Sequence, residues 1–430
     1  MKKRKIYDFL YIIIGLPWFF LMLFSSNLYT GIKVSLLGAL IVICVGEILG
    51  RHLPFKKKYL KFVSFFIIYA LFSLSLGIFN GYEFVLSKDY SLLQNNILTP
   101  LCILIITTVM SSEEYRKEYI WKLLLWLTCL MTVLDVIKVA SFMFGLNLPF
   151  LNFIMIYSEE ISVKLALRVT NESSLMFLLP IYIFLLINPG HADKKSKLLF
   201  LVTSFMGVLY TIISGRKILE LSLALAFFFS IIFVNGKFNL SVLFTPKKIR
   251  YYFVVFFASV ILLIAFEKLS ANSGLDILDL AYEQISRGFS SDADGVEKRF
   301  GTTSALIDMW LNSPLWGNGL NAYAPNYLAN ETTMWSYEVV YIALLAQTGI
   351  IGVMLFAIPA IFIIKRLWMI GKAKDDNRYF GLAFGFAVFI FCGSSNPLVY
   401  FVWPWSVSLT LITSRLSKQD IVKIANENIS

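Results

Sequence analysis

Apolar runs long enough to cross a lipid bilayer recur from end to end of this chain, separated by short basic segments. That alternation leaves few folds open. At 1.5 Å per residue, about 20 apolar residues in a helix span the roughly 30 Å hydrocarbon core. A soluble domain carrying a single anchor would not repeat the pattern. We read spans at roughly 9–25, 31–49, 60–79, 94–110, 120–144, 172–188, 198–214, 217–234, 251–266, 338–364, 379–393 and 397–413. The seventh and eighth are cut from one apolar run interrupted only by Gly215-Arg216-Lys217, and the last two flank the turn signal Ser394-Ser395-Asn396-Pro397. The expected fold is all-α. It is a single integral membrane domain over 1–430, a bundle of about twelve spans with one long extracytoplasmic loop, 267–337, between spans nine and ten.

Composition agrees. Charged residues are 15% of the chain, against roughly 25% in soluble domains, and hydrophobic residues are 58%. The 39 Phe and 21 Tyr suit a lipid-facing surface with aromatic belts. A net charge of +11 would point to nucleic acid in a soluble protein. Here the cations sit in short loops as topology signals, and no nucleic-acid partner is expected.

Orientation follows from those loops. Basic clusters stand at Lys2–Lys5, Arg51–Lys61, Arg116–Lys122, Lys194–Lys197, Lys237–Arg250, Lys365–Arg378 and Arg415–Lys423. Twelve spans put all of them on one side, which the positive-inside rule makes cytoplasmic, together with both termini. No cleavable signal peptide is expected, since the first apolar segment lacks an A-x-A-like site and leads directly into another span. His52 and His191 fall on the cytoplasmic side, which argues against a histidine base or metal ligand on the outer face. Cys44, Cys102, Cys129 and Cys392 all lie inside apolar stretches, in no disulfide or metal pattern. No internal repeat is visible, and the long loop occurs once, so one face is specialised.

Four arginines break the charge pattern by falling on the outer side: Arg168, Arg216, Arg287 and Arg299. Arg216 occupies a tight turn between two apolar spans, where an arginine has a cost unless it snorkels or pairs, and Glu220 is placed to hold it. The planar guanidinium fork matches phosphate oxygens, so arginines gathered at the outer interface suit a lipid diphosphate headgroup. The long loop carries Arg299-Phe300-Gly301, Trp310, and Ser313-Pro314-Leu315-Trp316-Gly317-Asn318-Gly319, then Glu338, Tyr341, Leu345, Gln347, Gly349 and Gly352. Pro314, Gly317 and Gly319 mark a tight turn whose backbone can approach a ligand closely. Ala305, Leu306, Met309 and Trp310 are spaced for an amphipathic helix over Thr302–Leu311, either on the outer surface or capping the bundle.

An arginine, a helical tryptophan, a Pro-x-x-Gly-x-Gly turn, a polar residue and a glycine-marked helix start, in this order, resemble the outer loop of the O-antigen ligase and polymerase superfamily. The Ser214-Gly215-Arg216 turn is similar to that superfamily's Ser-Arg motif. The topology agrees over the whole chain; the motifs cover about a quarter of it. The resemblance implies a metal- and cofactor-independent glycosyltransferase acting outside the bacterial cytoplasmic membrane on polyprenyl diphosphate-linked oligosaccharide. A chain-length regulator is an expected further partner.

Ligases of the superfamily carry a histidine ahead of the late helix, and counting back from Gly349 puts Glu338 in that place. This favours a polymerase over a ligase. A carboxylate at a low-dielectric interface suits general-base work, while arginines neutralise a departing diphosphate. The expected catalytic residues are thus Glu338, Arg216 and Arg299, with Asp308 and Glu331 as alternative bases and helix capping as the other role for Glu338. Arg168, Arg287, Trp310, Gly317 and Gly319 are the expected substrate-binding residues. Glu47, near the cytoplasmic end of its span, is expected to reach the interface. The rival class is a flippase or transporter, which should bury ionisable residues along a midplane path.

Overall fold

A computed structural model describes residues 2–24, 29–55, 57–143, 145–146, 148–154, 156–161, 164–169, 172–214, 217–234, 236–239, 293–328 and 333–393. The expected spans 251–266 and 397–413, the loop stretch 267–292, Arg216, Arg287 and Glu331 lie outside the described residues.

Helix α1 (Lys2–Leu10) runs through a wide π-helical turn, Tyr11–Gly15, into α2 (Leu16–Phe24). Then come α3 (Thr30–Arg51) and α4 (Lys57–Phe79). Helix α5 (Leu86–Leu93) passes through a second π turn, Gln94–Leu98, into α6 (Thr99–Met110). Both wide turns have one cause. Each ends two residues before a proline, Pro17 or Pro100, whose ring displaces the carbonyl four residues back. Next come α7 (Glu114–Met143), α8 (Glu172–Ile187), α9 (Lys194–Ser214) and α10 (Lys217–Ile232). The chain continues in α11 (Ala293–Asn312), α12 (Val340–Lys374) and α13 (Asn377–Cys392).

Among the described residues, six stretches are long and apolar enough to cross a membrane: Ile6–Leu23, Thr30–Arg51, Tyr59–Phe79, Asp89–Met110, Glu114–Phe142 and Val340–Lys374. Ser174–Ile187, Ile218–Ile232 and Asn377–Cys392 are shorter apolar helices. These are the helices of a membrane protein.

The all-α expectation needs one correction. Antiparallel strands β1 (Ile156–Ile161) and β2 (Lys164–Val169) form a hairpin with Tyr157 opposite Arg168, and β3 (Phe233–Val234) pairs with β4 (Lys237–Phe238). The first hairpin is tied to α9, where the Tyr210 hydroxyl accepts the Val169 amide at 3.1 Å.

Helix α8 is the buried centre of the largest core. Leu175 to Leu185 are almost completely enclosed. Gly207 of α9 and Gly385 of α13 let it in: a methyl group at either would meet Leu179 or Ile181 at 2.3 Å. Small residues at such crossings let membrane helices pack closely.

Ion pairs draw the basic segments to one end of the bundle. Arg51 reaches Glu113 (2.7 Å), Arg116 reaches Asp8 (2.8 Å), Lys374 reaches Glu114 (3.2 Å) and Arg378 reaches Glu118 (2.8 Å). The Asn377 amide donates to the Asn188 carbonyl at 3.0 Å. Both histidines are at this end, His52 directly after Arg51 and His191 3.5 Å from Asp375. Glu47 does not reach the interface as expected. It is completely buried, held by Arg51, by the Tyr11 hydroxyl at 2.7 Å and by both terminal nitrogens of Arg116. A carboxylate out of water needs such partners, and these come from its own helix and from two other helical segments, the Tyr11–Gly15 turn and α7.

Candidate functional site

The opposite end holds the motifs of the long loop. Helix α11 is amphipathic as expected, but begins nine residues earlier, at Ala293. Leu306, Met309 and Trp310 pack with Tyr337, just ahead of α12, and with Ala343 and Ala346 in its first turns, so α11 caps that helix. Trp310 donates its indole N–H to the Pro314 carbonyl at 3.1 Å, closing the step from α11 into the turn.

The turn Pro314–Gly319 then fills a break in α12. Gly349 has φ 63° and ψ −172°, which no helix contains, and the backbone groups on either side lose their helical partners. The turn supplies them. Ahead of the break, Ala346 and Gln347 carbonyls accept the amides of Asn318 (3.0 Å) and Gly319 (2.8 Å). Beyond it, the amides of Ile350 and Ile351 donate to the carbonyls of Pro314 (3.0 Å) and Leu315 (3.3 Å). Unsatisfied groups in a bilayer cost several kcal/mol each, so the break and the turn need one another. Side chains complete the joint. Asn318 Nδ2 bonds the carbonyls of Met309 (2.7 Å) and Ala346 (3.0 Å), and Gln347 Nε2 those of Ala322 (3.0 Å) and Trp335 (2.8 Å). The Tyr69 hydroxyl donates to the Thr348 carbonyl at 2.5 Å.

The turn also lies along α4. The Leu320 amide meets the Ser73 carbonyl at 3.3 Å, and Trp316 stacks edge-on against Phe72 with ring centroids 5.5 Å apart. From Gly77 to Tyr69 these contacts run about 12 Å down the helix. Above them, Asn80 and Asn321 bond the carbonyls of Asn318 and Tyr82, and Trp335 donates to Asp89 at 3.1 Å. Burial pushes the pKa values of Tyr82 and Tyr337 above the ordinary phenol value, Tyr82 also feeling Tyr323. Tyr337 accepts the Ala324 amide at 2.7 Å.

The expected site residues fall as follows. Trp310, Gly317 and Gly319 meet in this joint. The close backbone approach that the two glycines permit is taken by Gln347, Gly349 and Gly77 of the protein itself. Glu338 is exposed on the segment leading into α12. The helix begins at Val340 with Val339 at its cap, so Glu338 stands ahead of the first turn rather than within the span. Asp308 is exposed on α11. Arg299 lies in the first half of α11 and Arg168 on β2. Sequence reasoning missed Tyr69 and Asn80, whose contacts come from more than 200 residues away and leave no local signal.

No protein-family model matches the chain, and no curated protein matches it. Fold and site define a class: a helical membrane protein whose late helix is interrupted and completed by a turn from the preceding loop.

Proposed function

We propose that this protein is a polymerase joining polyprenyl diphosphate-linked oligosaccharide repeat units into O-antigen or capsular polysaccharide, on the outer face of a bacterial cytoplasmic membrane. The observation that carries the reading is the joint between Pro314–Gly319 and Gly349. Three parts of the motif that resembles the O-antigen ligase and polymerase superfamily, Trp310, the Pro314–Gly319 turn and Gly349, meet there, at the end opposite the basic loops. In this reading the chain crosses twelve times with both termini cytoplasmic, and 267–337 is outside. Glu338 is the general base, and Arg216 and Arg299 hold the diphosphate with Arg168 and Arg287. Trp310, Gly317 and Gly319 shape the saccharide site by fixing the loop on a rigid support, as catalytic positioning requires. The step needs no metal. The acceptor hydroxyl attacks the anomeric carbon of the donor, its proton passes to the carboxylate, and the polyprenyl diphosphate leaves.

A flippase reading draws on the same broken helix, since transporters use interrupted helices to coordinate substrates and ions. Here four backbone groups flanking the break are bonded to the turn, which favours a structural use. The surface glycan of a deletion strain separates the readings. Single repeat units on the surface support a polymerase. Lipid-linked polymer that never reaches its acceptor supports a ligase, and repeat units trapped inside support a flippase.

A further inference from the structure

The basic end of the bundle contains a second feature, unconnected with the outer joint. Between the first helical segment and α7 lies a cavity of about 310 Å³, backed by α3 and α6. Its walls are apolar, with Ile12, Leu16, Phe19 and Leu123 among them, and one end is polar, at Asp8, Tyr115 and Arg116. The cavity has a local cause. The π turn at Tyr11–Gly15 widens the helix, and Gly15 adds no side chain: a methyl built there would meet nothing nearer than Leu40 at 3.9 Å.

The apolar walls favour an apolar occupant, which would give the lining packing partners. In a bilayer the available filler is a hydrocarbon chain. The neighbouring face of α1 and its π turn is already a lipid-facing surface, with Phe9, Ile12 and Ile13 exposed. The headgroup follows from charge. Arg116 is fully engaged by Asp8 and Glu47, so it is not a free anion site. Lys2, Lys3, Arg4 and Lys5 occupy the first half of α1, within two turns of Asp8. A juxtamembrane run of this kind attracts anionic lipid electrostatically.

We propose that this cavity binds one acyl chain of an anionic phospholipid, whose phosphate lies beside the Lys2–Lys5 run. The site is at the opposite end of the bundle from the proposed polyprenyl diphosphate site and does not depend on it.

The test uses the full chain in mild detergent, with phosphatidylglycerol, phosphatidylethanolamine or polyprenyl phosphate added and adducts read by native mass spectrometry. Wild type should retain one phosphatidylglycerol at least about tenfold better than phosphatidylethanolamine. Leu123→Trp and Ile12→Trp, which fill the cavity from opposite walls, should each abolish retention. Replacing Lys2, Lys3, Arg4 and Lys5 by Gln should erase the preference for the anionic lipid. A phosphatidylglycerol with a photoreactive acyl chain gives a readout needing no variant, and should label wild-type peptides containing residues 12–19 or 115–123. Equal retention of both phospholipids, preference for polyprenyl phosphate, retention undiminished in a folded filled variant, or labelling only elsewhere would each overturn the proposal.

Discussion

Gly317 and Gly349 face each other so closely that a methyl group on Gly317 would stand 2.5 Å from the Gly349 nitrogen, and one on Gly349 would stand 2.6 Å from the Gly317 nitrogen. Both residues also have positive φ, 74° and 63°. Gly317→Ala and Gly349→Ala therefore combine left-handed strain of about 1–2 kcal/mol with a clash against backbone, which cannot rotate away. Each variant should lose several kcal/mol. Gly81→Ala is the control, with φ 88° but open space around it, and should lose about 1–2 kcal/mol. Thermal unfolding of the purified proteins in detergent checks the contrast, and equal midpoints for Gly317→Ala and Gly81→Ala would contradict the joint.

The buried cluster at the basic end makes a second, independent prediction. Arg116→Met leaves the enclosed Glu47 carboxylate without its principal partner and should cost about 3–5 kcal/mol. Combining it with Glu47→Met removes the stranded charge, so the double variant should regain most of that loss. Chemical unfolding of the two variants beside wild type decides. A single variant as stable as the double would mean that the pair carries no buried charge.

In the proposed polymerase, Glu338→Gln removes the general base and should slow elongation by about 10²–10⁴-fold, with normal membrane levels. Arg216→Lys and Arg299→Lys keep the charge but lose the planar fork, and should also shorten the product. The readout is surface glycan length beside protein abundance. If Glu338 acted only through the helix dipole, the Gln variant would lose no more than about 0.3–1 kcal/mol of stability and would make polymer of normal length.

Sidedness can be read with two single cysteines. Phe300 and His191 are both exposed, at opposite ends of the bundle. Phe300→Cys should react with an impermeant maleimide added to intact cells, and His191→Cys only after the membrane is opened. The reverse pattern would remove both the register and the proposed outer site. Cys44, Cys129 and Cys392 are buried and contribute little background.

Much of the bundle was legible because membrane spans are written in single runs of apolar residues. The expected 31–49 and 60–79 correspond to Thr30–Arg51 and Lys57–Phe79. The wide turns before Pro17 and Pro100 follow from the rule that proline displaces a carbonyl four residues back. The hairpin 156–169 carries a short alternation in Lys164-Leu165-Ala166-Leu167-Arg168-Val169, a far weaker signal than the apolar runs on either side of it. The break at Gly349 was not legible. Its glycines read as marking the start of a helix, and Pro359, the stronger breaker by rule, lies inside α12 without interrupting it. Which glycine breaks a helix depends on who satisfies the freed carbonyls, and that partner sits in another part of the chain. Glu47 failed as an expectation for the same reason: its position near the end of α3 was right, while Asp8, Tyr11 and Arg116 around it are a tertiary fact.

The seam in α12 also has a direction in time. Its three strips leave the ribosome in the order Gly77, then Pro314–Gly319, then Ala346–Ile351. Helices such as α3 close their own hydrogen bonds and are complete once they enter the bilayer. Helix α12 is not complete at that moment, because four of its backbone groups pair with a turn made earlier in the chain. We expect that turn to settle first on α4 and to act as the template on which the break is formed. Moving the turn segment to the C-terminus would reverse that order, and the rearranged chain should insert normally yet reach its folded state more slowly.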